Sequence, residues 1–314
     1  MSAETPLERD VRRLLPDAEV VSALPLAPWT SVRVGGAAEL SVRPMSVEGL
    51  PALLRLLRAE GIPLTILGGG ANSLVGDLGV PGVTLRMPGK LFPEELEEGP
   101  DGALRATLGS GAAIARLINV MKKHDRVGAE FLAGIPGTLG GAVTMNAGTK
   151  NGECMRVVEA VEVATIEGLH WLPREALTWK YRHTFLPEGC VVTRIRFLLP
   201  KGEVEDSRDA MAADLGYRKR TQPLTQPNFG SVFTNPEGHH AGALIEKVGL
   251  KGHQIGQAQI SPKHANWIVN LGGATAQDVV GLMDLMQSKV LAETGVTLTP
   301  EVKRVGRFRP PEGA

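Results

Sequence analysis

The chain is poor in cysteine, in aromatic residues and in net charge, and each shortage excludes something. Its two cysteines, Cys154 and Cys190, are too few and too far apart for a zinc motif and are expected to be unpaired, structural thiols. Aromatic residues make up 4% of the 314 positions, so Leu, Val, Ile and Ala must fill most of the core. Lys plus Arg and Asp plus Glu each number 34, a formal charge of +0. No global basic field is therefore available to draw in nucleic acid or an anionic membrane. Long apolar runs are missing too. The longest uncharged stretch, Phe131 to Thr149, contains five glycines, Pro136 and Asn146, which argues against a membrane helix. Met1 to Asp10 contains acids and no apolar run, so it is not a secretory signal, and a cytoplasmic protein is expected. Two nucleotide signatures are absent. No Gly-x-x-x-x-Gly-Lys-Ser/Thr occurs, and Gly109-Ser110-Gly111 runs into Ala112-Ala113-Ile114 and not into a Rossmann fingerprint. No internal repeat and no metal site is visible.

What is present is a globular pattern. Hydrophobic residues make up 43% of the chain, and its length allows two or three domains of roughly 100–200 residues. Helices are predicted over Glu48–Glu60, Ala112–His124, Ser207–Lys219, Ala241–Val248 and Thr275–Glu293. The last of these has Thr275 and Asp278 as a capping pair and Gly295 as its stop. Strands are predicted over Pro63–Leu67, Val83–Met87, Leu104–Leu108, Val157–Thr165, Cys190–Leu199 and Asn266–Asn270, with another after a turn in Arg33–Arg43. Arg194 and Arg196 alternate with Ile195 and Phe197, which gives the Cys190–Leu199 strand one wet face. Interleaved elements of both kinds make the class α/β or α+β. A change of composition near Gly202–Asp206 suggests a domain boundary, and Pro310–Ala314 reads as frayed.

Two segments stand out. Leu67-Gly68-Gly69-Gly70-Ala71-Asn72-Ser73-Leu74 follows a strand, and Gly134-Ile135-Pro136-Gly137-Thr138-Leu139-Gly140-Gly141 leads to Asn146-Ala147-Gly148. Glycines without Cβ atoms let backbone N–H groups crowd around an anion, and Asn72 and Ser73 add side-chain donors. One such segment is as well explained by a tight turn. Two in one domain favour a bound phosphate, since each glycine costs conformational entropy on folding.

These residues resemble the UDP-N-acetylenolpyruvoylglucosamine reductase family over nearly the whole chain, from about Trp29 to Gly306. Thr30-Ser31-Val32-Arg33-Val34-Gly35-Gly36 resembles its opening motif. Leu67–Leu74 and Glu130–Gly148 resemble its two flavin-phosphate loops. Tyr181-Arg182-His183-Thr184-Phe185, Gly230–Pro236 and Pro300-Glu301-Val302 complete the set. The resemblance implies an α+β fold of the vanillyl-alcohol-oxidase (PCMH) type. Its expected parts are two FAD-binding subdomains at 1–90 and 91–202, a C-terminal α+β substrate domain at 203–298, and a segment, 299–314, that returns to the FAD-binding part. FAD is expected to be noncovalent, with NADPH as co-substrate and UDP-N-acetylglucosamine enolpyruvate as substrate, in a monomer. The implied cofactor-binding residues are Arg33, Leu67, Gly68, Gly69, Gly70, Ala71, Asn72, Ser73, Gly134, Ile135, Pro136, Gly137, Asn146, Ala147 and Gly148.

The implied substrate is a vinyl ether bearing a carboxylate. Hydride added to its terminal carbon leaves enolate charge that must be stabilised and then protonated. The resemblance gives the proton to Ser231, which on sequence alone would be a turn residue before Asn235-Pro236. It gives the carboxylate to Arg182, whose guanidinium is always charged and can bind two oxygens. Glu301 is assigned as an orienting or proton-sharing group, and Asn235, Lys251 and Lys263 are set against the substrate diphosphate. His264 is placed either near the substrate or in a structural role. Two features depart from the common pattern. The Pro200–Ser231 segment is short, as in the branch without an extra tyrosine loop, and Asn228-Phe229 stands where small residues are commoner, which would alter the pocket wall. Two other readings compete: a flavin oxidase of the same fold acting on another small alcohol, and a nucleotide-binding module without catalysis.

Overall fold

The helices start and stop where the sequence supplies caps. Residues 4–310 are described by the computed structural model, so the expected frayed end lies outside them from residue 311 onward. Helix α1, Pro6–Leu14, is opened by a reciprocal box: Thr5 Oγ1 accepts from Glu8 N at 3.2 Å, and Glu8 Oε2 accepts from Thr5 N at 2.9 Å. This helix was not expected. Helix α2, Leu50–Ala59, buries Leu50, Leu53, Leu54 and Leu57, the face its spacing predicts. Helix α3, Ile114–Lys123, buries Ile114, Leu117, Ile118 and Met121 likewise. Helix α4, Leu139–Thr144, is short, α5 spans Val204–Thr221, and α6 spans Ala241–Lys247. Helix α7, Ala276–Thr294, has the predicted Thr275–Asp278 box and Gly295 at its end.

The chain forms two compact units. The first takes the stretch ending at Ser22, Leu40–Gly69 and Gly82–Gly216; the second takes Ala23–Glu39, Gly70–Pro81 and the stretch from Tyr217. The division after Gly216 falls inside α5, not at the composition change near Gly202–Asp206. Only Ser207 and Met211 of α5 are buried, in keeping with the surface helix expected over Ser207–Lys219.

The first unit has two larger sheets, two short two-stranded ladders and two cores. One sheet has the order Glu19–Pro25, Ala37–Arg43, Val80–Leu85, Leu64–Ile66, the last pair parallel. It packs on α1 and α2 through Val11, Leu40, Val42, Leu53, Val83 and Leu85. The other is an antiparallel sheet in the order Leu169–Pro173, Val158–Ala164, Val191–Leu199, Leu104–Gly109, Glu95–Glu98. Its inner face joins α3 and the Phe131–Val143 region in a second core. Its outer face carries the alternating arginines. Arg194 grips the buried Glu162 with two bonds, Nε to Oε2 at 2.8 Å and Nη2 to Oε1 at 2.6 Å. Thr193 Oγ1 adds a third at 2.7 Å. Arg196 stacks over Trp171, 4.4 Å from the ring centre.

The second unit builds its core from α6, α7, the Gln254–Ile255/Ala258–Ile260/Ile268–Asn270 sheet and Val32, Val34 and Leu74. Asp77 fixes the start of α7, accepting from Ala276 N at 2.8 Å and from Gln277 N at 3.0 Å. Lys303–Val305 pairs in parallel with Ser73–Val75, directly after the first glycine segment. Among the described residues no helix is long and apolar enough to cross a membrane.

Burial pushes the Glu162 carboxyl up, but the hydrogen bonds of Arg194 and Thr193 outweigh it and hold the group below the usual carboxylate range. A carboxylate held low stabilises the fold above its unfolded pKa, and that contribution is lost as pH falls through the folded value. Arg194→Ala leaves this buried charge unpaired and should cost about 3 kcal/mol near neutral pH, read as a lower urea midpoint. The gap to the parent protein should narrow as pH falls below the usual carboxylate range and through the depressed value of this carboxyl.

Candidate active site

In the first unit the two glycine segments meet. A Cβ on Gly69 would lie 2.9 Å from Gly137 Cα, and one on Gly68 would lie 2.7 Å from Thr138 Oγ1. Backbone therefore touches backbone there, with Gly68 and Gly69 exposed and Leu67 buried beneath them. Ala112, Ser110 and Gly137 secure the second segment: Leu139 N donates to Ala112 O at 2.8 Å, Gly140 N to Ser110 O at 2.8 Å, and Ile114 N to Gly137 O at 3.0 Å. The Ser110 hydroxyl is buried and has no hydrogen-bond partner among the described residues. Gly134 and Pro136 are exposed, and Ile135 is half-buried.

Arg182 belongs to this unit. It sits on the turn between strands Thr178–Lys180 and His183–Phe185, with φ +60, a conformation that costs a residue with a side chain roughly 1–2 kcal/mol. Its Nη2 donates to Gly148 O at 2.9 Å, and its guanidinium lies 4.6 Å from the Tyr181 ring centre. Asn146 also has positive φ, +41, and is fully buried. Its side chain is engaged inside the protein: Oδ1 accepts from Met155 N at 3.1 Å, and Nδ2 donates to Glu153 at 2.9 Å and Lys180 O at 3.2 Å. The expectation that Asn146 faces a cofactor thus changes for its side chain, which braces the loop that carries Ala147 and Gly148.

The second unit brings together Ser231, Glu301 and Asn72. Val232 O accepts from Glu301 N at 2.8 Å, so the Ser231 and Glu301 segments run side by side. Asn72 Nδ2 donates to Glu301 O at 3.1 Å, and Lys303 N donates to Asn72 O at 3.0 Å. On the other flank the buried Asn266 acts as a strand of one residue. Its Oδ1 accepts from Phe233 N at 3.0 Å, its Nδ2 donates to Phe233 O at 2.8 Å, and Val232 N donates to its carbonyl at 2.9 Å. His264 Nδ1 accepts from Asn266 N at 3.3 Å, and burial together with Lys251 pushes this imidazole below its ordinary value, so it is neutral near pH 7. That is a supporting role. Ser231 itself is half-buried, between Gly230 and the buried Val232.

Gly70 closes the first glycine segment in this unit. Its φ is +63, and a Cβ there would lie 2.1 Å from Trp29 O, so no other residue fits. Gly70 O accepts from Ser31 N at 3.0 Å. The following Arg33 is exposed, with φ +57, and Asn270 Nδ2 holds its turn through Val32 O at 2.9 Å. Ala71 and Ser73 are half-buried. Phe229 lies in the core of the unit, so this departure is absorbed by packing; Asn228 Oδ1 accepts from Gly230 N at 3.0 Å and shapes the turn before Ser231.

The three residues set against the substrate diphosphate have protein partners. Lys251 Nζ lies 2.8 Å from Glu246 Oε1, Lys263 Nζ donates to Lys219 O at 2.6 Å, and Asn235 Oδ1 accepts from Ala241 N at 3.0 Å. Both cysteines are free and buried, and burial pushes Cys154 up to about 12 and Cys190 up to about 11. They are inert thiols at neutral pH. Among the described residues no cluster of metal-ligating side chains occurs.

Known proteins are similar to this chain over nearly its whole length. A family model described as an FAD binding domain matches residues 38–171, and one described as UDP-N-acetylenolpyruvoylglucosamine reductase, C-terminal domain, matches 222–305. The chain is 67% identical to the UDP-N-acetylenolpyruvoylglucosamine reductase of Myxococcus xanthus (strain DK1622), over 92% of this chain and 93% of that one. It is 52% identical to that of Anaeromyxobacter sp. (strain Fw109-5), over 96% and 92%. The crystal structure of the reductase from Thermus caldophilus superposes with a TM-score of 0.77 at 36% identity, covering 92% of this chain and 98% of the other. With its glycine segments in contact and its Ser231 and Glu301 segments joined, the chain belongs to the UDP-N-acetylenolpyruvoylglucosamine reductase family of FAD-dependent oxidoreductases.

Proposed function

We propose that this chain reduces the enolpyruvyl group of UDP-N-acetylglucosamine enolpyruvate to give UDP-N-acetylmuramate for peptidoglycan synthesis, with NADPH as reductant, and that it works as a cytoplasmic monomer. Its residues fit a dinucleotide. The contact of Gly69 with Gly137 leaves a strip of backbone without side chains, and the buried Ser110 hydroxyl has no partner among the described residues. Gly68, Gly69, Gly70, Ala71, Asn72, Ser73, Gly134, Ile135, Pro136 and Gly137 are assigned to the pyrophosphate. FAD held there would supply the hydride chemistry that links NADPH to the terminal carbon of the vinyl ether.

The protein must then manage charge and a proton. Arg182 is assigned to the substrate carboxylate, where its fixed positive charge favours the enolate, which carries one negative charge more than the carboxylate ground state. Ser231 donates its hydroxyl proton to the carbon next to the carboxylate. A serine is a weak acid, so this needs a strongly basic carbon and a site shielded from water, and buried Val232 and Phe233 flank it. Glu301 orients that hydroxyl or shares its proton. The observation that carries this reading is the bond from Glu301 N to Val232 O, which sets the Ser231 and Glu301 segments side by side. Lys251, Lys263 and Asn235 are assigned to the diphosphate; the Lys251–Glu246 pair is exposed, so a phosphate can displace it at little cost. Two FAD subdomains, 1–90 and 91–202, and a substrate domain, 203–298, are assigned, with 299–314 returning beside Ser73.

Gly69→Ala should weaken FAD binding by about tenfold or more, because the added Cβ forces backbone apart. Flavin fluorescence titration measures this, and an unchanged dissociation constant would remove the cradle from this segment. Ser231→Ala should let NADPH bleach the flavin as before while turnover with the enolpyruvyl substrate falls by roughly 10²–10⁴-fold. Normal steady-state turnover in that variant would rule out the serine as proton donor.

A further inference from the structure

Glu153 has no role in the scheme above, yet it stands at the centre of the contacts that hold Arg182. Its Oε2 accepts from Asn146 Nδ2 at 2.9 Å, and its Oε1 accepts from the indole Nε1 of Trp179 at 3.2 Å. Its backbone pairs with Gly148 across the short Gly148–Thr149/Gly152–Glu153 ladder. Gly148 O is the acceptor for Arg182 Nη2. One residue therefore ties together the loop on which the guanidinium rests and strand Thr178–Lys180, which leads into Arg182. Two more bonds close the same frame: Asn146 Nδ2 to Lys180 O at 3.2 Å, and the buried Thr184 Oγ1 to Val143 O at 2.6 Å.

The chemistry of the bridge is selective. An indole N–H can only donate. The Asn146 amide is fixed with its NH₂ toward Glu153, because its Oδ1 is taken by Met155 N–H. Both neighbours of Glu153 are donors, so both of its terminal atoms must accept. Only a carboxylate does that. A glutamine of the same shape would turn an N–H against another N–H. The frame also has a task, since Arg182 keeps a left-handed backbone, φ +60, which persists only where its surroundings over-determine it.

We propose that Glu153 is a positioning residue for catalysis: its charged carboxylate clamps Asn146 to Trp179 and so sets the Arg182 guanidinium where enolate charge develops. This rests on the assignment of Arg182 to that charge. The role is in the second half-reaction, in which reduced flavin is reoxidised by the enolpyruvyl substrate, and not in the first, in which NADPH reduces the flavin.

The test is anaerobic stopped-flow on the flavin-loaded protein, with each half-reaction followed separately. Glu153→Gln should be reduced by NADPH at the parent rate and reoxidised by the enolpyruvyl substrate about tenfold more slowly, the loss expected from one donor left unpaired. Adding Trp179→Phe removes one of the two donors, lets the glutamine oxygen face Asn146, and should bring reoxidation back to within about threefold of the parent. Reoxidation at the parent rate in Glu153→Gln overturns the proposal, as does a double variant no faster than the single one. Loss of flavin from Glu153→Gln also overturns it, because the clamp would then serve the cofactor loop and not Arg182. Arg182→Lys separates the two levels: if it too reoxidises normally, the assignment of Arg182 fails; if it is slow while Glu153→Gln is normal, only the clamp fails.

Discussion

The site depends on primary amides that take the place of missing backbone. Segments that carry chemistry leave regular ladders, and their peptide groups must still be paired when buried. An asparagine side chain offers one acceptor and one donor group in the geometry of a peptide, so it can stand in for a strand. Three buried asparagines do this here, Asn146, Asn266 and Asn270. Asn266 exchanges two bonds with Phe233, Asn270 holds the turn of Arg33, and Asn146 joins Met155 to Lys180. Each amide reaches the backbone beside a residue assigned to the reaction or the cofactor.

Those amides stabilise backbone that would otherwise relax. Arg33, Asn146 and Arg182 all have positive φ without being glycine. Such conformations need neighbours that leave no alternative, and they collect where a side chain must point in a direction regular structure does not provide. The contrast with Gly70 is instructive. There the same region of φ is used by a residue whose value lies in having no side chain, because Trp29 O occupies the space. The chain thus uses left-handed backbone in two ways: to bring backbone close, and to aim a charged group.

Local features were legible in the sequence, and remote pairings were not. Helix α7 could be read from Thr275, Asp278 and Gly295 because cap and stop lie within the segment itself. The glycine segments were legible because density of one residue type is a local property. Helix α1 had the same kind of signal in Thr5-Pro6-Leu7-Glu8, but the segment was weighed only as a leader. Helix α5 was read as a surface helix beside a boundary, since a polar stretch does not reveal which bodies it joins. Asn146 is assigned to the cofactor because Asn146-Ala147-Gly148 resembles a flavin-phosphate loop; the partners of its side chain, Met155, Glu153 and Lys180, are fixed only by the fold. Glu153 carried no signal at all, since an acid in a loop looks solvated until Asn146 and Trp179 arrive on either side.

The parallel pairing of Lys303–Val305 with Ser73–Val75 bears on how the protein is made. Asn72 and Glu301 are 229 positions apart, yet each completes the other's surroundings. A ribosome adds roughly 5–20 residues per second, so Gly70–Val75 waits on the order of ten seconds or more before its partner strand emerges. During that interval the strand has an open edge of the kind that pairs with other chains. Synthesis therefore leaves the first glycine segment without its neighbouring strand until Lys303–Val305 arrives, and a chain broken off before residue 303 keeps its glycines but lacks that strand.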